Sequence, residues 1–135
     1  MYHAALLRLE GAAIGAAALG LYVQRGESLL VLALLFLAPD LSMLGYLANR
    51  RTGSLAYNAV HTYVGPLALL GVGLLAGIDL AIVGGLIWAA HVGVDRAVGY
   101  GLKYADAPFS ESHLQRLANP AEGTRPTPVD PVRAD

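Results

Sequence analysis

Five ionisable side chains interrupt stretches of the sequence that are otherwise apolar: Glu10, Asp40, His61, His91 and Asp95. His91 and Asp95 are four residues apart, so on a helix their side chains stack on one face. Imidazole and carboxylate groups bind zinc, iron and manganese, and helical proteins build such sites between facing helices. The pattern predicts a divalent-metal site. Its ligands would be Asp40, His61, His91 and Asp95, with Glu10 as a further ligand or a general base.

Two neighbouring side chains are candidates for a role beside such a metal. Tyr57 lies one helical turn before His61 and extends the polar stripe of that helix. Arg96 supplies a cation next to the carboxylates. We assign both residues to positioning a substrate.

Each member of the set also has a simpler structural interpretation. Glu10 could neutralise a nearby arginine, and Asp40 could cap or pair within its own helix. His61 could hydrogen-bond a tyrosine, and His91 with Asp95 could lock two helices together without binding anything. The convergence of the whole set favours a site over these separate explanations.

The composition indicates which solvent surrounds these residues. The chain has 135 residues, 56% hydrophobic and 14% charged, whereas soluble domains average roughly 45–50% and 25%. This length fits a single domain. The net charge of −1 gives no indication of a nucleic-acid partner, and the lack of cysteine excludes disulfides and thiolate ligands. The excess of apolar residues predicts that membrane lipids surround the chain.

Four apolar segments each approach the ~20 residues that a helix needs to cross a membrane. They lie at about 4–23, 28–48, 55–76 and 79–102. Pro39 can bend the second segment next to Asp40. The breaks contain residues that end or cap helices: Gly26, Ser28, Gly53, Ser54 and Asp79. We therefore expect an all-α protein, an integral membrane four-helix bundle over residues 1–104.

Basic residues are concentrated on one side of these four segments. That side carries Arg8, Arg50, Arg51, Lys103 and Arg116. The opposite loops have only Arg25, which Glu27 offsets. The positive-inside rule places the basic side, and with it both termini, in the cytoplasm. The predicted location is the inner membrane.

In this topology the five ionisable residues share one slab of the membrane. With a rise of 1.5 Å per residue, Glu10, His61 and Asp95 lie about 9 Å from the cytoplasmic ends of their helices. Asp40 lies about 12 Å deep and His91 about 15 Å. Charges at such depths are costly, so they normally face the protein interior, pair with each other or line a wet cavity.

Small residues recur at four-residue spacing in the first segment. Gly11 and Gly15, followed by Gly20, lie among alanines. Such spacing lets helix backbones approach closely in lipid. We expect a packing face inside the bundle, or else the seam of a homodimer.

The sequence changes character after Tyr104. Residues 105–120 predict a short cytoplasmic helix, with Ser110 as its cap and Leu114 on its apolar side. Residues 121–135 are rich in proline and poor in bulky apolar side chains, which predicts a disordered tail.

Several strings of the sequence resemble one known family. They are LRLEG (7–11), LAPDLSMLGY (37–46), YNAVHTYVGPLAL (57–69), AHVGVDRAVGYGLKY (90–104) and SHLQRL (112–117). In this order they resemble the bacterial family called domain of unknown function 4260, over most of the chain up to the proline-rich tail. The resemblance implies a small multipass membrane protein and carries no assigned activity. The HxxxD spacing of His91 and Asp95 is also loosely similar to membrane-bound metal-dependent hydrolases.

Three functions are consistent with these residues. In the first, a bound metal activates water, and the protein hydrolyses an ester or phosphate of a lipid-like substrate near the inner leaflet. In the second, the protein is a non-enzymatic membrane component, either a proton or ion pathway or a subunit of a larger complex. In the third, His61 and His91 are axial ligands of haem b, although their depths differ by about 6 Å.

Overall fold

The computed structural model describes residues 2–107 and 109–119, and within them the fold is all-α, as predicted. Six α-helices and one 3₁₀ helix make up this part of the chain. They are α1 (Tyr2–Gln24), α2 (Leu29–Leu35), the 3₁₀ helix (Ala38–Leu47), α3 (Arg50–Val60), α4 (Val64–Ala76), α5 (Asp79–Val98) and α6 (His113–Ala118). The predicted tail over 121–135 lies outside the described residues.

Four helical stretches are long and apolar enough to cross a membrane, which confirms the predicted number of apolar segments. They are Tyr2–Gln24, Leu29–Leu47, Arg50–Ala76 and Asp79–Val98. Large apolar side chains cover their outer surfaces: Leu47, Leu75 and Leu80 are 85%, 93% and 79% exposed. Apolar surface on this scale marks a face that contacts lipid or another protein. The cytoplasmic location of the termini stays a prediction.

The second span is not one continuous α-helix. Ser28 caps α2, as predicted, and accepts a hydrogen bond from the Val31 N–H. α2 ends at Leu35, and the chain continues as the 3₁₀ helix with Pro39 in its first turn. Proline has no N–H to donate to the carbonyl four residues earlier, and its ring clashes with that carbonyl. The interruption therefore lies next to Pro39, where the sequence predicted a bend.

The third span begins earlier than the sequence suggests. The side chain of Asn49 accepts a hydrogen bond from the Thr52 N–H at 2.8 Å and starts α3 at Arg50. Gly53 and Ser54, which were expected to end one helix and begin the next, lie buried inside α3. That prediction is wrong, because Asn49 supplies the cap.

The same span is interrupted between α3 and α4. α3 ends at Val60 and α4 begins at Val64, with Pro66 in its first turn. Pro66 has no N–H to donate to the carbonyl of Thr62, which favours a kink or a break in the helix at this turn. The interruption leaves His61 as the residue that ends α3.

α1 and α5 run antiparallel and in contact. Arg8, near the start of α1, donates a hydrogen bond to the Ala97 carbonyl oxygen at 2.9 Å. Arg25, just after the end of α1, pairs with Asp79 at 2.8 Å. Asp79 was expected to cap α5, but Ile78 occupies the cap and Asp79 is the first helical residue. Its ion pair with Arg25 instead connects the end of α1 to the start of α5.

Glycines bring the α1 and α5 backbones together. A Cβ on Gly93 would lie 2.5 Å from the Gly15 nitrogen and 2.8 Å from the Gly11 carbonyl oxygen. Gly20 has no neighbour among the described residues within 4 Å of such a Cβ. The predicted packing face is confirmed for Gly11 and Gly15. α4 packs on α5 as well, and the 3₁₀ helix packs on α3.

The chain after α5 returns toward α1. Gly99, with φ +104°, ends α5 in the left-handed region that favours glycine. α6 is capped by Ser112, whose N–H donates to Gln115 Oε1 at 2.7 Å, so the expected cap at Ser110 is wrong. Leu114 is buried where α6 packs on α1.

Candidate metal centre

Three separate elements carry the four predicted ligands. Asp40 lies in the first turn of the 3₁₀ helix, His61 ends α3, and His91 and Asp95 lie one turn apart on α5. The two helix interruptions matter here. Each one places an ionisable residue, Asp40 or His61, next to the point where the helix is interrupted.

The structure brings all four side chains to one point. His61 Nε2 lies 3.3 Å from Asp40 Oδ1 and 3.2 Å from His91 Nε2. His91 Nε2 lies 3.5 Å from Asp40 Oδ1, and Asp95 Oδ2 lies 3.7 Å from each imidazole Nε2. The four donor atoms all lie within 4.8 Å of one another. We call Asp40, His61, His91 and Asp95 the His/Asp cluster.

These separations fit a four-coordinate divalent ion. Donor atoms about 2.0–2.2 Å from a tetrahedral metal are about 3.3–3.6 Å from one another. Five of the six pairs in the His/Asp cluster are 3.2–3.7 Å apart, and the pair of carboxylates completes the set within 4.8 Å. Two imidazoles and two carboxylates are also donors that zinc, manganese and iron accept. The residues therefore fit such an ion.

The orientation of His61 is fixed by its own helix. Its Nδ1 lies 2.9 Å from the Tyr57 carbonyl oxygen, so Nδ1–H donates to that oxygen and Nε2 presents a lone pair to the cluster. Metal-binding histidines are commonly held by such a hydrogen bond from the second nitrogen. The Tyr57 ring stacks on the His61 imidazole at 3.7 Å between centroids, and its hydroxyl donates to Asp95 Oδ2 at 3.2 Å.

His91 is held by packing. Its ring is 2% exposed and makes edge contacts with Phe36 at 5.3 Å and His61 at 5.2 Å between centroids. Within the described part of the chain, its Nδ1 is buried without a hydrogen-bond partner. An imidazole fixed in this way has only Nε2 available for the cluster.

α5 also holds the end of α3 through two backbone carbonyls. Trp88 Nε1 donates to the Val60 carbonyl oxygen at 2.7 Å, and Arg96 donates to that of His61 at 3.0 Å. Arg96 also donates to the Tyr100 carbonyl oxygen at 3.2 Å. These bonds satisfy helix-end carbonyls that the interruption would otherwise leave unpaired. The predicted role of Arg96 in substrate positioning is thus accompanied by a structural one.

The fifth predicted residue lies apart from the other four. Glu10 is on the exposed side of α1 and is not a member of the His/Asp cluster. The arginines that it was expected to neutralise donate to backbone carbonyls, Arg8 to Ala97 and Arg96 to His61. Glu10 was predicted at the same depth as His61 and Asp95, but depth along a helix does not determine which way a side chain faces.

The distances within the cluster argue against haem. Axial histidines bind the iron from opposite faces of a macrocycle. The Nε2 atoms of His61 and His91 are 3.2 Å apart, with two carboxylates converging on the same point. No macrocycle fits between nitrogen atoms at this distance, whereas a small cation does.

A cleft of about 250 Å³ adjoins the carboxylate side of the cluster. Its walls are Asp40, Met43, Tyr57, Asp95, Tyr100, Lys103 and Phe109. The histidine side chains are 2% exposed, whereas Asp40 is 37% and Asp95 19% exposed. The cluster is therefore closed on its histidine side and open to the cleft on its carboxylate side.

Sequence reasoning missed the cation in this cleft. Lys103 was used only to orient the chain in the membrane, but it is 6% exposed and lines the cleft. Burial lowers the pKa of its ammonium below the ordinary value, and the charge of Asp95 acts in the opposite direction. One signal was in the sequence: Lys103 is the only lysine, five residues after the end of α5.

Comparison with known proteins identifies the family. The model of the family described as Domain of unknown function (DUF4260) matches residues 4–117, a range that includes the whole His/Asp cluster. No curated protein and no solved structure matches the chain. Because the family model covers most of its length, this chain belongs to the DUF4260 family.

Proposed function

We propose that the protein binds one divalent cation at the His/Asp cluster and hydrolyses an ester or phosphate bond of a lipid-like substrate. The observation that carries this proposal is the donor geometry. Four side chains from three elements bring their donor atoms within 4.8 Å of one another, and five of the six separations, at 3.2–3.7 Å, are close to those around a single tetrahedral ion. Zinc, manganese and iron all accept this donor set.

The cleft supports hydrolysis over a purely structural ion. Because four protein ligands fill a tetrahedral ion, hydrolysis would need a fifth position for water or substrate, on the carboxylate side that is open to the cleft. An ion with such a position would polarise ester and phosphoryl oxygens and lower the pKa of water, which is the chemistry that hydrolysis needs near neutral pH. The open carboxylate side gives a substrate access to the cluster, and Met43 and Phe109 offer apolar surface to a hydrocarbon chain. Tyr57 orients Asp95 by hydrogen bonding and also lines the cleft.

A second function is favoured by the hydrogen bonds of the cluster. Asp40, His61 and His91 are linked through contacts of 3.2–3.3 Å, and Tyr57 donates to Asp95 beside them. Such a chain of titratable groups within helices long enough to span a membrane also suits a proton pathway. In that case the protein would be a non-enzymatic membrane component, acting alone, as a homo-oligomer or as a subunit of a larger complex.

Metal-dependent thermal unfolding in mild detergent separates the two functions. Zinc, manganese or iron should raise the unfolding midpoint of the wild type, because a ligand that binds only the folded state stabilises it by mass action. At a metal concentration 100 times Kd the gain is about 2.7 kcal/mol. Asp40→Asn, His61→Ala and Asp95→Asn should each lose most of this gain.

Two exposed residues provide matched controls. His3→Ala removes an imidazole and Asp106→Asn a carboxylate, both outside the cluster. Both variants should keep the full metal-dependent shift. If no divalent metal moves the wild-type midpoint, and protein purified without added metal contains far less than one ion per chain, the metal site is refuted.

Hydrolysis needs its own measurement. Metal-loaded protein should cleave a chromogenic ester or phosphate that carries a medium-length alkyl chain, and a chelator should stop the reaction reversibly. Asp95→Asn should abolish turnover, and Asp106→Asn should not. A protein that binds metal stoichiometrically but cleaves neither substrate class would retain the metal site and lose the hydrolase assignment.

We further propose that the chain lies in the inner membrane with both termini in the cytoplasm. Basic residues on the side of Arg50 and Lys103 support this orientation. The natural chain has no cysteine, so single cysteines report unambiguously. An impermeant thiol reagent should label Glu27→Cys in intact cells and spare Thr52→Cys. The opposite labelling pattern would invert the topology.

A further inference from the structure

Lys103, the only lysine in the sequence, is held in the cleft by aromatic side chains. Lys103 Nζ lies 4.6 Å from the ring centroid of Phe109, 5.4 Å from that of Tyr57 and 5.6 Å from that of Tyr100. Among residues 2–107 and 109–119, its ammonium makes no ion pair within 4.0 Å. A buried cation is costly unless it is paired, so this arrangement calls for an explanation.

The backbone at Lys103 is fixed from both sides. Its N–H donates to Asn58 Oδ1 at 2.7 Å, and its carbonyl oxygen accepts from Asn58 Nδ2 at 2.8 Å. Asn58 lies on α3, three residues before His61. The same helix therefore positions both a member of the cluster and the lysine that faces it across the cleft.

The charge of the cleft changes sign when a dication binds. Asp40, Asp95 and Lys103 line the cleft and together carry a net charge of −1. A divalent ion at the His/Asp cluster would change that sum to +1, with Lys103 as the uncompensated cation. The walls then combine a positive centre with the apolar surfaces of Met43 and Phe109.

We infer that the metal-loaded cleft binds an oxyanion, the phosphate group of an amphiphile, between the cluster and Lys103. The inference rests on the proposed metal site and narrows the substrate class to phosphates. It requires the metal and the anion to bind cooperatively, because each supplies charge that the other needs. This coupling is reciprocal: the factor by which metal tightens phosphate binding equals the factor by which phosphate tightens metal binding.

Titration of manganese and inorganic phosphate into the full chain in neutral detergent tests the inference. In the wild type, manganese should tighten phosphate binding by about tenfold or more, within the usual range of coupling between sites. Lys103→Gln should bind manganese but lose most of this coupling. Arg50→Gln, which removes an exposed cation of α3, should keep it.

The outcomes separate this inference from the proposed function. If manganese does not bind the wild type, the metal site fails and the inference fails with it. If manganese binds but phosphate coupling is the same in wild type and Lys103→Gln, only the oxyanion site is overturned. A dodecyl phosphate tested beside inorganic phosphate identifies the source of the anion: tighter binding of the amphiphile indicates a lipid headgroup, and equal binding a free phosphate.

A wild-type measurement keeps the test valid if Lys103→Gln fails to fold. Lys103 is the only side-chain amine of the chain, so acetylation of its peptide, read by mass spectrometry, reports on one site. Burial lowers the pKa of this amine, so a larger fraction of it is unprotonated and open to acetylation than in an ordinary lysine. Manganese with phosphate should slow this acetylation well beyond either alone. Acetylation that responds to neither, in protein that binds manganese, overturns the inference.

Discussion

Two regions of the molecule lie only two residues apart on α5 and are built in opposite ways. Gly93 contacts α1, where its missing side chain lets the two backbones approach. His91 and Asp95 belong to a cluster completed by the 3₁₀ helix and the end of α3. The α1–α5 contact joins two uninterrupted helices, whereas the cluster is completed where helices are interrupted.

The difference shows how a chain of apolar helices combines rigidity with a polar site. Between α1 and α5, dispersion contacts between small residues hold the helices, as is usual in lipid. At the cluster, the interruption between α3 and α4 leaves the carbonyl groups of Val60 and His61 to be satisfied by Trp88 and Arg96. The close packing of one face of α5 provides a fixed support for the functional groups of the other.

The largest expected effect comes from filling the close contact. In Gly93→Ala the new Cβ would meet backbone atoms of Gly15 and Gly11 at 2.5–2.8 Å, and backbone cannot rotate away. We expect the free energy of unfolding in detergent to fall by about 3 kcal/mol or more, at the upper end for overpacking. α1 and α5 would separate, and metal binding would weaken as well.

Gly84→Ala is the matched control on the same helix. Its Cβ would meet Leu69 Cδ2 at 3.5 Å, which is ordinary van der Waals contact. Its unfolding free energy should stay within about 0.5 kcal/mol of the wild type. Similar losses in both variants would show that any added side chain on α5 is harmful and that the contact with α1 is not special.

The next effect tests whether the cluster is a site or only a link between helices. If His91 and Asp95 serve structure alone, either single replacement by leucine should cost about 1–3 kcal/mol by leaving a buried partner unsatisfied. The double replacement should then recover much of that loss. For a metal site, Asp40→Asn removes repulsion between carboxylates. It should leave the metal-free protein at least as stable as the wild type while abolishing the metal-dependent shift.

Thermal unfolding of these variants, with and without zinc, gives the answer. Asp106→Asn controls for the loss of any carboxylate. The metal site would be refuted if the double variant recovers its stability and zinc does not shift the wild-type unfolding midpoint. The cluster would then be a second structural contact, and the two faces of α5 would not differ in role.

Arg96 should show a smaller, positioning effect. Its guanidinium bridges the His61 and Tyr100 carbonyl oxygens, and lysine can reach only one of them with comparable geometry. In Arg96→Lys we expect a loss of about 1 kcal/mol of stability, and metal affinity reduced by about tenfold because His61 is less firmly held. Arg50→Lys is the control. Unchanged metal affinity in Arg96→Lys would show that the α3 end is fixed without this residue.

The sequence predicted the members of the cluster better than the helix boundaries and the side chains around them. Ionisable groups at similar predicted depth in the apolar segments were enough to select Asp40, His61, His91 and Asp95, because unpaired charges in such segments are costly. Glu10 shared that depth but not the face, since position along a helix carries no information on its rotation relative to other helices. Gly53 and Ser54 were misassigned because Asn49, which caps a helix as well as serine does, lies earlier in the chain. Lys103 was missed because its burial depends on how the segment after α5 folds back toward α1, and no local pattern in the sequence shows that path.

The smallest expected effect lies in that returning segment. His113 Nδ1 accepts a hydrogen bond from the Leu102 N–H at 2.7 Å, which requires the unprotonated nitrogen. Burial and then the charge of Arg96 lower the pKa of this imidazole. A lowered pKa means that the folded state binds fewer protons than the unfolded state between the two pKa values. The contribution of His113 to stability is therefore complete above the ordinary value of about 6.5 and is lost as the pH falls through the lowered pKa.

Acid should thus loosen the segment that carries Lys103 before it affects the contact between α1 and α5. Hydrogen exchange of peptides covering 99–119 should accelerate between pH 7 and pH 5 more than the intrinsic rate predicts, while peptides from α1 keep their protection. His113→Asn, whose side-chain oxygen can accept the same bond without titrating, should flatten this pH dependence. His3→Ala should leave it intact. If His113→Asn shows the full acid response, His113 is not the titrating group, and another group, such as the Glu111 carboxylate paired with Arg116, controls the returning segment.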